Sequence, residues 1–278
     1  MKNTQQITKA MKMMSAARLR RAQERVLGAR PGATALRNML TRIVAGVEAN
    51  RPIGDDGPIH PLLARREEKR ILLLILGGDK GLAGAFNTNI NKSAMGFLAK
   101  NAGKPTALIA IGKKPRDFFR RRGELAAEFA DIFVRVSYKN AQDIAKLAID
   151  RYNADETDAV YLIYNEFKSV LVQRLRVERL LPLETPAPDA GLPIDYIFEQ
   201  PPQEILNDML PQYVEVQVFR ALLESAAAEH AARMTAMDSA SKNAAEMIDR
   251  LTLKMNRIRQ ATITREIIEI VSGAAALG

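Results

Sequence analysis

Gly77–Asn87 reads GGDKGLAGAFN and gathers glycines, a carboxylate and a lysine closely enough to suggest chemistry. It follows the apolar run Ile71–Leu76 and precedes helical sequence. A phosphate-binding loop sits in that position, where backbone N–H groups and the helix N-terminus face an anion. The details argue against one. No Lys-Ser or Lys-Thr closes a GxxxxG frame, and Gly77, Gly81 and Gly84 do not fit GxGxxG. The second strand candidate ends in IGKKP, with no acidic residue to hold a ribose. The residues favour a tight strand-to-helix turn that needs glycine dihedrals. Asp79 and Lys80 are chemically suited to proton transfer, but nothing else in the sequence completes such a site.

Other chemistry is sparse. The chain has no cysteine, and His60 and His230 are its two histidines, far apart in sequence. Disulfides and thiolate-held metals are excluded, and neither a histidine zinc site nor a serine–histidine triad is expected. His230 reads as a helix-surface residue. The doublets Asp55–Asp56 and Asp155–Glu156 lack the ligand spacing of a calcium loop. Arg120–Arg122 reads as a solvated helix end. No apolar run is long enough to span a membrane, and no signal peptide is visible.

The elements that would carry function are long helices. Gln212–Gly278 has no proline, and no glycine before Gly273. Met234, Met237, Ser241, Ala244, Ile248, Leu251, Met255, Ile258 and Thr262 recur at spacings of three and four, a heptad seam rich in small and adaptable side chains. A helix that long protrudes from any compact domain of this size. Ile7, Ala10, Met11, Met14, Ala17 and Val26 give helical spacing in a first segment, 1–50, with Pro31-Gly32 as a kink or short break. Residues 51–68 form a turn-rich linker. Residues 69–200 read as α/β. Strands are expected at Ile71–Leu76, Ala107–Ile111, Ala159–Phe167 and Val170–Leu180, the last two forming a hairpin. Helices are expected at Thr88–Lys100, Lys114–Arg122 and Ala141–Tyr152. The final helix, 203–278, follows a proline-rich stretch. Helix, inserted α/β domain, helix is the expected layout, with the terminal helices paired as an antiparallel coiled coil.

The net charge of +9 is concentrated in residues 1–48, which hold ten Lys/Arg against two Asp/Glu. An acidic partner surface follows from that asymmetry. One alternative is a basic coiled-coil protein that binds nucleic acid, but the basic segment has no Phe, Tyr or Trp on which bases would stack. The other is a nucleotide-dependent enzyme using the Gly77–Gly84 turn.

Three separated motifs carry a resemblance that spans essentially the whole chain. Asn3–Gln23 reads NTQQITKAMKMMSAARLRRAQ, and Gly78–Asn87 reads GDKGLAGAFN. Glu229–Met237 is followed by Arg259–Leu277, RQATITREIIEIVSGAAAL. In this order they resemble the gamma subunit of the F-type ATP synthase. Ala83 stands where many members have Cys. In the family a basic IRRRI-like stretch usually precedes the first motif, whereas here Met1 stands just ahead of it.

The resemblance implies a central stalk: an antiparallel coiled coil of the terminal helices with an inserted Rossmann-like α/β domain. It implies a shaft that turns with the membrane c-ring and drives the catalytic ring, without catalytic residues, cofactor or metal of its own. The implied partners are the alpha, beta, delta and epsilon subunits and the c-ring, with no nucleic acid and with the membrane reached only through the complex. The implied location is the cytoplasmic face of a bacterial inner membrane, since no transit peptide is visible; the missing cysteine pair argues against a thiol-regulated chloroplast form. Carried over by position, contacts with the catalytic ring fall on Lys9, Met11 and Lys12, on Asp79, Lys80 and Ala83, and on Arg259, Gln260, Thr264 and Glu266.

Overall fold

A computed structural model describes residues 1–49, 57–122, 125–184 and 201–277. The expected linker falls partly, and the proline-rich stretch mostly, outside those residues. Two helices dominate: α1 (Lys2–Ala49) and α5 (Pro202–Leu277). At about 1.5 Å per residue, the 76 residues of α5 reach roughly 110 Å. Pro31 lies inside α1 without ending it, and Pro211 lies inside α5. Between them come β1 (Ile71–Leu76), α2 (Phe86–Lys100), β2 (Thr106–Ile111), α3 (Lys113–Phe119), β3 (Leu125–Phe129), α4 (Tyr138–Asn153), β4 (Ala159–Phe167) and β5 (Gln173–Leu181).

The five strands form one sheet in the order β3-β2-β1-β4-β5. All neighbours are parallel except β4 and β5, which pair antiparallel as the expected hairpin. β1 is buried along its whole length, as a central strand of a parallel sheet covered on both faces must be. α2 packs with α3, and α4 packs with α5. Right-handed crossovers put these pairs on opposite faces of the sheet. β3 was not expected: LAAEF is short and lacks the β-branched residues that mark strands.

α1 and α5 run antiparallel. Lys12 meets Asp238 at 2.5 Å, Arg18 acts on His230, and Arg37 acts on Tyr213, so positions rise on one helix as they fall on the other. Over its first turns, the face that α1 turns inward is not the one read from its apolar residues, whereas from Val26 onward the expected Val26, Leu36, Leu40, Ile43 and Val44 do face in. Ile7 and Met14 are more than half exposed, whereas Thr8, Ser15, Leu19, Val26, Leu40 and Ile43 are buried, with Ala22, Ala29, Ala33 and Leu36 half-buried between them. From Ser15 onward this is an unbroken four–three seam in which Ser and Ala are mixed with Leu, Val and Ile. On α5 the expected seam is covered at Met234, Met237, Ser241, Ala244 and Ile248. Beyond position 248 nothing among the described residues covers it: Leu251, Met255 and Ile258 are at least half exposed.

Positions 221–229 of α5 are buried on every side, because α1 lies against one face and the sheet and α4 against others. A helix sealed all round is ordinarily apolar, yet Glu224 sits here with Oε2 unpartnered. Burial pushes its carboxyl up, against the pull of Arg220 and Arg30, while Glu166 and Glu178 add to the rise. A raised folded-state carboxyl binds its proton more tightly than the unfolded chain does. Stability from this group is therefore lost as pH climbs above the ordinary value of 4.5. Glu224→Gln is expected to melt higher than the parent at pH 7 and no higher at pH 4, as followed by circular dichroism. A lower melting temperature at pH 7 would refute this.

Candidate functional site

The glycine turn after β1 is closed from within. Gly78 N–H donates to Asn87 Oδ1 at 2.8 Å, so that amide is not free to hold a phosphate. Asp79 is buried, and its carboxylate accepts the backbone N–H groups of Lys113 (3.0 Å), Asp131 (2.9 Å) and Phe133 (2.8 Å). It ties the ends of three loops together, with both carboxylate oxygens engaged. Lys80 is exposed and Ala83 is buried, so of the three turn residues carried over by resemblance only Lys80 faces outward.

The reason for glycine here differs from the expected one. Of Gly77, Gly78, Gly81 and Gly84, only Gly84 has a positive φ. A Cβ at Gly78 would lie 2.9 Å from the Glu229 carboxyl carbon, so this glycine admits a side chain of α5 rather than a turn dihedral. Glu229 is itself ion-paired with Arg233 one helical turn on, both nearly fully buried. Arg233 also donates to the carbonyls of Gly81 and Lys80. Burial pushes the Glu229 carboxyl up, and Arg233 opposes the rise. A carboxylate therefore stands against the turn where a phosphate would need positive charge.

His230 is not the surface residue expected. It is half-buried, its Nδ1 has no partner, and burial lowers its pKa to about 4, with Arg233 and Arg18 adding to the fall. It is neutral at pH 7. His60 accepts the Leu62 N–H at 3.1 Å and caps a single 3₁₀ turn. Among the described residues no cluster of His, Asp and Glu is arranged to hold a metal.

The remaining carried-over residues lie on the rod. Lys9 is exposed, Met11 half-buried, and Lys12 bound to Asp238. Arg259, Gln260, Thr264 and Glu266 are all exposed on the uncovered end of α5, where Thr264 Oγ1 donates to the Gln260 carbonyl at 2.9 Å. Ile263, Ile267, Ile268, Ile270 and Val271 are exposed around them. So much uncovered apolar surface on a helix marks a place where another protein sits. The rod thus offers two exposed surfaces, a basic one on α1 and an apolar one at the end of α5. The turn contributes position and no chemistry.

Residue reasoning missed the Glu229–Arg233 pair as a fixed point of the fold. The signal was an acid and a base four apart inside an alanine-rich run.

A family model described as ATP synthase matches residues 1–277. The ATP synthase gamma chain of Solibacter usitatus is 56% identical over 276 residues, covering 99% of this chain and 94% of that one. The gamma chain of Pelotomaculum thermopropionicum is 47% identical, covering 99% of this chain and 95% of that one. Among solved structures, the central stalk and c-ring of the Tetrahymena thermophila mitochondrial ATP synthase includes a chain similar in fold. It has a TM-score of 0.66 at 24% identity, covering 84% of this chain and 99% of that one. A chain of the Euglena gracilis mitochondrial enzyme gives a TM-score of 0.58 at 18% identity, covering 94% of this chain and 95% of that one. With the sequence match running end to end and the helix–sheet–helix architecture alongside it, the chain belongs to the ATP synthase gamma chain family.

Proposed function

We propose that this chain is the central shaft of an F-type ATP synthase. It couples ion flow through a membrane c-ring to nucleotide turnover in a catalytic ring, and it carries no catalytic residue. The observation that carries this reading is the end of α5. Past position 248 it is a single helix whose apolar side chains no other described residues cover. Such a helix suits the bore of a ring. The basic outer face of α1 suits acidic levers on the catalytic subunits, because exposed ion pairs are worth about 1 kcal/mol or less and can be made and broken as a shaft turns. The nucleic-acid reading finds no support among the relatives.

The proposed contacts with the ring are Lys9, Met11, Lys12, Lys80, Arg259, Gln260, Thr264 and Glu266, with Asp79 and Ala83 holding the turn that presents Lys80. The alpha, beta, delta and epsilon subunits and the c-ring are the partners on this reading. The membrane is reached through them, on the cytoplasmic side of a bacterial inner membrane. Among the described residues no helix is long and apolar enough to cross a membrane.

Affinity capture of the tagged chain from its host's membranes tests the assembly: a stoichiometric set of ATPase subunits is expected. Recovery of nucleic acid or of one unrelated protein would overturn it. Coupling is tested by Met11→Lys and by the double substitution Arg259→Ala/Gln260→Ala. Exposed tip substitutions should alter folding stability by no more than about 0.5 kcal/mol. Proton pumping per ATP hydrolysed is expected to fall roughly tenfold, equivalent to about 1.4 kcal/mol of lost coupling. Unchanged pumping per ATP in both variants would sink the contact assignment.

A further inference from the structure

A recess of about 280 Å³ opens between α1, α5, the glycine turn and residues 133–136. It lies beyond the carboxyl ends of β1 and β3, the side of an open α/β sheet where ligands usually bind. Its charge is lopsided. Arg18, Arg21 and Arg25 enter from α1, Arg135 and Lys80 from the loops opposite, and Arg233 from α5, against the carboxylates of Asp79 and Glu229.

Both carboxylates are engaged elsewhere. Asp79 accepts three backbone N–H groups, and Glu229 is paired with Arg233. Arg25 donates to the Val136 carbonyl at 2.7 Å, which fixes its side chain across the recess without neutralising it. Among the described residues, Arg18, Arg21, Arg25 and Arg135 have no carboxylate at ion-pair distance. Positions 18, 21 and 25 are three and four apart, which puts them in a row along one helix face. His230, neutral at pH 7, borders the same space with an unpartnered nitrogen. Like charges gathered this way repel unless an anion joins them.

We propose that this recess binds a polyphosphate group, with inorganic pyrophosphate or the phosphate tail of a nucleotide as its source. Guanidinium groups match phosphate oxygens two bonds at a time. The volume is at the small end of ligand pockets, and α1, α5 and the loops wall it on several sides. That suits a compact anion better than an acidic peptide. The aromatic rings of the lining are Phe133, which is buried, and His230, which is half-buried, so neither offers an open stacking face for a base. The nucleoside is therefore expected to contribute no affinity. This inference does not depend on the shaft reading.

The test is isothermal titration calorimetry on the full chain at constant ionic strength, with pyrophosphate, ADP and adenosine as separate titrants. Saturable binding of pyrophosphate and ADP at similar affinity is expected, with none for adenosine. Arg21→Ala/Arg135→Ala should weaken pyrophosphate at least about tenfold, as loss of two charge-assisted contacts implies. Arg18→Ala/Arg21→Ala is a second variant drawn from α1 alone, and Arg250→Ala on the rod should change nothing. Unsaturable heats, affinity equal to the parent's in both double variants, binding of adenosine, or tighter binding of a polyglutamate peptide would each overturn the proposal.

Discussion

Replacing Arg233 with Met is expected to cost about 3–5 kcal/mol of folding stability, the usual penalty for leaving a buried charge without its partner. Glu229 would keep its place against Gly78, where only the absence of a Cβ admits it. Lys80 and Gly81 would also lose the donor that holds their carbonyls. Urea denaturation should show the midpoint falling sharply in the single variant. The double variant Glu229→Met/Arg233→Met removes both charges at once and should recover most of the loss, because apolar replacement of a whole buried pair is often neutral or better. A single variant as stable as the parent would show that the pair is solvated and that α5 is not pinned to the turn through it.

Gly112→Ala has a comparably large expected effect. Gly112 adopts φ +99°, and its N–H donates to the Phe129 carbonyl at 2.7 Å. A Cβ there would stand 2.1 Å from the carbonyl oxygen of Gly77. The oxygen is backbone and the Cβ position is fixed by the backbone, so no rotamer change relieves the clash, and β1 and β2 would have to part where Gly77 N–H bonds the Ile111 carbonyl. A loss on the order of 4 kcal/mol or more is expected, in the range reserved for core disruption and strained backbone. Gly103→Ala, which meets open space, is the control and should stay within about 0.5 kcal/mol. Equal midpoints for the two variants would contradict the geometry.

The fold class was legible because its signals are long. Ile71–Leu76 and Ala159–Tyr164 are continuous apolar runs, and strands occupy those residues. The rod was legible because so little interrupts it. Its inner face over the first turns of α1 was not, since Thr8 and Ser15 are buried there while Ile7 and Met14 point away. Hydrophobic periodicity cannot select a face that packs through small and hydroxylated side chains. β3 failed for a related reason: an edge strand of Leu-Ala-Ala-Glu-Phe is held by its ladder to β2 rather than by its own composition. The contact between Glu229 and the glycine turn joins residues about 150 positions apart in sequence, and no local pattern reports such a distance. The candidate contacts at the end of α5 came from resemblance alone, because an exposed arginine or glutamine has no periodic signature.

Because positions 221–229 are sealed between α1, α4 and the sheet, α5 has no joint where cover of the domain becomes strand of the rod. Torsion entering through the α/β domain meets neither hinge nor bearing and passes directly into the helix axis. The two-helix stretch is stiffened by its partner, whereas the single helix past position 248 has only its own backbone hydrogen bonds to resist twist. Elastic compliance is therefore graded along the molecule, with the stiff clamp at the sheet and the soft spring at the far end.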